Sequence, residues 1–198
     1  MIIQDLTAHD VAHYFLANVD EESGDNITNL KLQKLLYYAQ GFHLAMRGGD
    51  PLFPEKVLAW PHGPVVKSVW LQYKPCSFNP IANPSECREE EYLPEIQEIL
   101  DAVYSTYGQF SAKKLEQMTH EEPPWMNTPR MRVISLSSIE SYFSGLVEAG
   151  RKGESMPGQP LWPTNSFRFQ RRREIAAGMA PLSEKFKTAL AQRRLYVG

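Results

Sequence analysis

The residues with the most chemical promise in this chain are its histidines. His62 sits in "AWPHGPVV" (59–66), between two prolines and beside a glycine. Histidine is the side chain whose charge changes near neutral pH. Pro61 and Pro64 fix their own φ angles and Gly63 permits positive φ, so the turn presents His62 at its tip. To act in catalysis the imidazole needs an orienting group and a reacting partner within hydrogen-bond reach. His120, in "THEEPPW" with Glu121 and Glu122 beside it, is one candidate, and Cys76 is the nearest thiol in sequence. No GxSxG turn and no catalytic-cysteine signature accompanies them. A rigid turn serves packing or partner contact equally well, and for His62 that reading outweighs catalysis.

"HDVAH" places His9 and His13 four residues apart, on one face of a helix. That spacing can bind zinc, which makes a metal-dependent hydrolase one alternative reading. Asp10 stands where the HExxH motif has Glu, and no third ligand is signposted, so the expectation is no metal and no cofactor. Cys76 and Cys87 match no zinc pattern and imply no disulfide framework. Reduced thiols, the absence of a signal-peptide pattern and the lack of a long apolar run together suggest a cytoplasmic chain with no membrane partner.

The formal net charge of −2 hides an asymmetry. Residues 151–198 hold ten basic against three acidic residues, so the rest of the chain is acidic. "FRFQRRR" (167–173) interleaves Phe167 and Phe169 with Arg171, Arg172 and Arg173. Such a cluster can stack on bases and contact phosphates, which makes a nucleic-acid-binding regulator a second alternative. The plainer reading is a basic tail docked on an acidic body.

Helices must position these residues. Thr7 with Asp10 has capping spacing before an apolar stripe at Val11, Phe15 and Leu16. Residues 28–49 carry the strongest helical pattern, capped by Thr28 or Asn29 and stopped at Gly48–Gly49. Leu32, Leu35, Leu36, Ala39, Phe42 and Met46 form its main face, and Tyr37, Tyr38 and Leu44 widen it, which predicts a central helix. Gly41 within it predicts close approach by another element. "VLAW" (57–60) reads as a short strand, and Pro64 as the first residue of a helix over 64–74. Further helices are predicted from Pro94 to Gly108, from Ser111 to about Thr119, and from a Ser137/Glu140 capping box to Gly150, with 120–125 a loop. Beyond Gly150 the Gly/Pro content reads as linker, followed by a short amphipathic helix over 181–195. The expected fold is mainly α: a compact domain of about six helices over 1–150, at most a small β element, and a basic extension over 151–198.

Three segments together resemble a known family. They are "ITNLKLQKLLYYAQGFHLA" (27–45), "PLFPEKVLAWPHGPVVKSVWLQY" (51–73) and "YGQFSAKKLEQMTHEEPPW" (107–125). In order and spacing they resemble the Panacea domain, also called the SocA-like antitoxin or phage-associated protein family, over roughly residues 5–147. The resemblance implies a helical, non-enzymatic antitoxin of a type II toxin–antitoxin pair, which binds a co-encoded toxin and blocks it. At least one relative also delivers its toxin for proteolysis, so a protease or its unfoldase joins the implied partners. No catalytic residue carries over. The matching motifs nominate Tyr37, Tyr38 and Gln40, then Trp60, His62, Gly63, Pro64 and Val65, then His120, Glu122 and Trp125 as partner-binding residues. The loops at 60–65 and 119–125 are expected to line one surface. No helix-turn-helix pattern is evident in the extension.

Overall fold

The computed structural model describes residues 6–19, 26–84 and 92–163. The described residues fall within one compact unit that runs to Pro163. Seven α-helices and one two-stranded sheet make it mainly α among these residues. In order they are α1 (Ala8–Ala17), α2 (Asn29–Met46), β1 (Val57–Trp60), β2 (Gly63–Val66), α3 (Lys67–Tyr73), α4 (Pro94–Tyr107), α5 (Ala112–His120), α6 (Pro123–Met126) and α7 (Leu136–Arg151). No helix among the described residues is long and apolar enough to cross a membrane.

The local signals that start α1, α2 and α5 act as read. Thr7 and Asp10 form a reciprocal capping box, Thr28 accepts from the Lys31 amide, and Ser111 accepts from the Lys114 amide. Each satisfies a backbone donor that the first helical turn leaves unpaired. Helix α2 is the axis of the domain. It is buried on every side, from Lys31 to Leu44, and touches α1, α3, α4, α5, α7 and β2. Its aromatic face meets α4 and α7: Tyr38 stacks on Tyr107 with ring centres 3.8 Å apart, and Phe42 meets Phe143 edge-on at 4.8 Å. Gly41 lets α7 come this close, because a Cβ there would overlap the Phe143 ring.

Three local expectations change. Residues 63–66 are a strand, not the first turn of a helix; β2 pairs antiparallel with β1, Pro64 opposite Ala59, and α3 begins at Lys67. Proline lacks an N–H, and β-branched Val65 and Val66 suit a strand once a partner is present. The cap of α7 is Ser135, which accepts from the Ser138 amide at 3.2 Å, and not Ser137. The stretch 120–125 is mostly helical, with His120 closing α5 and Pro123 opening α6.

The other edge of β1 is also paired. Leu58 bridges Val133, the Ala59 amide donates to the Arg132 carbonyl, and the Ile134 amide donates to the Val57 carbonyl. Residues 154–163, read as linker from their glycines and prolines, return to the domain. Trp162 is buried and lies flat on Phe42, with ring centres 3.4 Å apart at an angle of 9°. The predicted helix over 181–195 and the cluster Arg171–Arg173 lie outside the described residues.

Candidate interaction site

The β1–β2 turn is two residues long, closed by the Trp60–Gly63 pair with Pro61 and His62 between. Gly63 has φ of +97°, a conformation that needs glycine. The turn holds His62 at its tip, with 77% of its side chain exposed. Its Nδ1 lies 2.9 Å from Oε1 of Glu116 on α5, while Lys113 Nζ lies 3.0 Å from Oε2. Burial works against charge on Glu116, but hydrogen bonds from His62 and Lys113 overcome it and hold the carboxyl below its ordinary value. Because Glu116 is ionised, Nδ1 must carry the proton and donate. The other ring nitrogen, Nε2, is then the atom that the tip offers outward.

Behind the turn lies a buried charge. Lys34 on α2 is fully buried and its Nζ donates to the Pro64 carbonyl at 3.0 Å. Burial lowers its pKa from 10.5 to about 7, against the pull of Glu116 and Glu122. Glu122, just before α6, is its counterpart. Burial raises that carboxyl from 4.5 to about 7, opposed by hydrogen bonds and by Lys34. Glu122 Oε1 accepts from Tyr38 and from Gln159, both at 2.8 Å. Oε2 and the Tyr37 hydroxyl lie near one another but short of a formed hydrogen bond. With Oε1 occupied twice, Oε2 is where a proton would reside. Tyr107 closes the network by donating to Gln159 Oε1 at 3.3 Å. A buried network of this kind constrains geometry, since each member costs free energy if its partner is displaced.

Aromatic contacts tie the turn to 119–130. The Trp125 indole N–H donates to the Trp60 carbonyl at 3.0 Å. Its ring stacks on His120 at 3.9 Å, and the Arg130 guanidinium lies 3.7 Å from its centre. Trp60 meets Trp70 of α3 edge-on at 5.0 Å. Burial and nearby Lys34, Arg130 and Lys113 lower the pKa of His120, although Glu116 opposes them. The two expected loops do lie together, joined by one hydrogen bond between their tryptophans.

Residues 32–126 match the family model described as antitoxin SocA-like, Panacea domain. This stretch is similar to the Panacea domain. No curated protein and no solved structure matches it. The matched stretch spans α2 to α6, so it includes Lys34, the β1–β2 turn, Glu116, Glu122 and Trp125. Gln159, which completes the buried network, and Phe143 on α7, which packs on Tyr38 and Phe42, lie beyond it.

Within the matched stretch the nominated residues separate by depth. Tyr37, Tyr38 and Gln40 are fully buried. Gln40 spends its amide on the Phe53 carbonyl and the Leu52 and Phe53 amides, holding the connector before β1. Gly63, Pro64, Val65, Glu122 and Trp125 are buried too. Trp60 and His120 are half-buried and His62 is exposed, so these three offer surface directly. His9 and His13 are half-buried on α1, and no metal-sized group of three His, Cys, Asp or Glu occurs among the described residues. Sequence reasoning missed Lys34, Glu116, Arg130 and Gln159. Lys34 did carry a signal, as a charge one helical turn before Tyr38 on a helix whose apolar residues spread well beyond one face.

Proposed function

We propose that this protein is an antitoxin that neutralises a co-encoded toxin by binding it directly. The match of residues 32–126 to the SocA-like Panacea domain carries this reading. The geometry favours a scaffold over a catalyst. Lys34 and Glu122, the two groups with pKa values brought nearest neutrality, are sealed in the core beneath the turn. Their arrangement holds Trp60 and His62 in one pose, and a pre-set pose lowers the ordering cost of binding. Delivery of the bound toxin to a protease or its unfoldase is a further role that the family suggests.

The test is co-expression of this chain with the protein encoded by the adjoining reading frame. The expected result is growth arrest by that protein alone, rescue by the pair, and a co-purifying complex. Arrest without rescue by the full chain overturns the proposal.

A further inference from the structure

One surface of the domain differs from the rest in charge and in apolar exposure. Residues 56–84 contain Lys56, Lys67 and Lys74 and no acidic residue, and residues 123–139 contain Arg130 and Arg132 and none. The fold brings the two stretches together, because 131–134 pairs along β1. Lys56 and Lys67 flank the Val57–Val66 pair at the open end of the hairpin, both exposed. Arg132 is exposed on the neighbouring strip. None of these three makes an ion pair among the described residues. The like charges at the hairpin end repel one another.

Between these charges the surface is apolar. Leu58 and Val133 face each other across the bridge, so they share the outer face of the sheet with half-buried Trp60. Val133 is 46% exposed and Met131 58%. Met131 also has φ of +64°, a left-handed conformation that Asn or Gly adopts more readily. A methionine held there, exposed and against backbone preference, fits a site kept for contact. Contiguous apolar surface rimmed by charge is the usual form of a protein-binding patch.

We propose that this outer face, centred on Met131 and Val133 and rimmed by Lys56, Lys67 and Arg132, docks an acidic surface of the toxin protein. The inference rests on the antitoxin reading and names its contacting face. The aliphatic centre favours protein over nucleic acid: Met131, Val133 and Leu58 offer no ring to a base, and Trp60, the ring on this face, is half-buried against Trp70.

The test measures binding of the purified full chain to the protein encoded by the adjoining reading frame. Two variants probe the face: Lys56→Glu/Lys67→Glu, and Met131→Asn. Arg151→Glu/Lys152→Glu makes the same change in net charge at the end of α7. The double hairpin variant should weaken binding about 10- to 100-fold and flatten its salt response, and Met131→Asn should weaken it about 10-fold. The α7 variant should change Kd less than about threefold. Asn suits the left-handed backbone, so Met131→Asn should melt no lower than the parent, which separates lost contact from lost fold. Wild-type binding with both face variants unimpaired overturns the surface and leaves the antitoxin reading standing. No complex with the wild type overturns the antitoxin reading, and the surface with it. If the face variants lose binding to a 20-base-pair DNA duplex and not to the protein, a protein partner for this face is refuted.

Discussion

Gly63 lies directly over the ammonium group of Lys34. A Cβ at position 63 would sit 2.6 Å from Nζ and 2.8 Å from Thr119 Oγ1. The next carbonyl, that of Pro64, accepts a hydrogen bond from the same Nζ at 3.0 Å. The glycine in "HGPVV" therefore does two things: it adopts the positive φ of the turn, and it leaves room for a buried lysine that the turn itself solvates.

Gly63→Ala tests both at once. Backbone strain and displacement of a fixed Lys34 should together cost about 2–4 kcal/mol in urea unfolding. Adding Lys34→Met, with its smaller head, should recover part of that loss. Strict additivity of the two changes would show that Gly63 and Lys34 are not coupled.

The pH dependence follows from Lys34 and Glu122. Between pH 4.5 and 7 the folded chain keeps a proton on Glu122 that the unfolded chain has released, so stability falls as pH rises. Between pH 7 and 10.5 the unfolded chain keeps a proton on Lys34 that the folded chain has released, so stability rises with pH. The pair thus contributes a minimum near neutrality. Glu122→Gln should remove the first slope and Lys34→Met the second, read from urea midpoints at pH 5, 7 and 9. Glu116 acts in the opposite sense, its lowered pKa giving stability that is lost as the pH falls below 4.5. A wild-type midpoint that is constant from pH 5 to 9 contradicts this account.

Gly41→Ala puts a methyl group into the Phe143 ring at the α2–α7 contact. The expected loss is about 1–3 kcal/mol, despite the better helix propensity of Ala. Phe143→Leu in the same background should offset part of it. A stabilised Gly41→Ala, by thermal melting, would mean that the helices are not this close.

What could be read from the sequence was what short-range physics decides. Caps at Thr7, Thr28 and Ser111 act within three residues, and the apolar spacing of α2 marks its central place. The strand at 63–66 was not legible, because Pro64 and the Val65–Val69–Tyr73 spacing also suit a helix start. Pairing with β1 settles it, and pairing is not a local property. Lys34, Glu116 and Gln159 escaped for the same reason: their partners are far apart in sequence and meet only when the chain is folded. The family motifs located the two loops that meet, but they did not separate exposed His62 from buried Tyr38.

The two tryptophans joined by the loop–loop hydrogen bond should behave differently. Trp125 is buried, stacked on His120 and bonded to Trp60, so Trp125→Ala should cost about 3–5 kcal/mol and impair neutralisation through the fold. Trp60 is half-buried and meets Trp70 only edge-on. Trp60→Ala should cost about 1–2 kcal/mol yet impair rescue of growth as severely. Circular dichroism melts alongside the rescue assay separate the two, and rescue by a folded Trp60→Ala at wild-type level contradicts an interface role.

Residues 154–163 give the last test, because composition and packing disagree about them. Glycine and proline mark a linker, and a linker can be altered at almost no cost. Trp162 instead lies on Phe42 and is buried, so Trp162→Ala removes a core side chain. It should cost about 3–5 kcal/mol, the range for emptying an aromatic site, where a linker position would change stability by less than about 0.5 kcal/mol. Gln159 reports on the same segment through chemistry. Its amide stabilises the Glu122 carboxylate, so Gln159→Leu should raise the Glu122 pKa further. The Glu122 carboxyl resonance, followed by NMR titration, reads this without reference to stability. An unmoved Glu122 titration together with an unchanged melt of Trp162→Ala would return the segment to linker status.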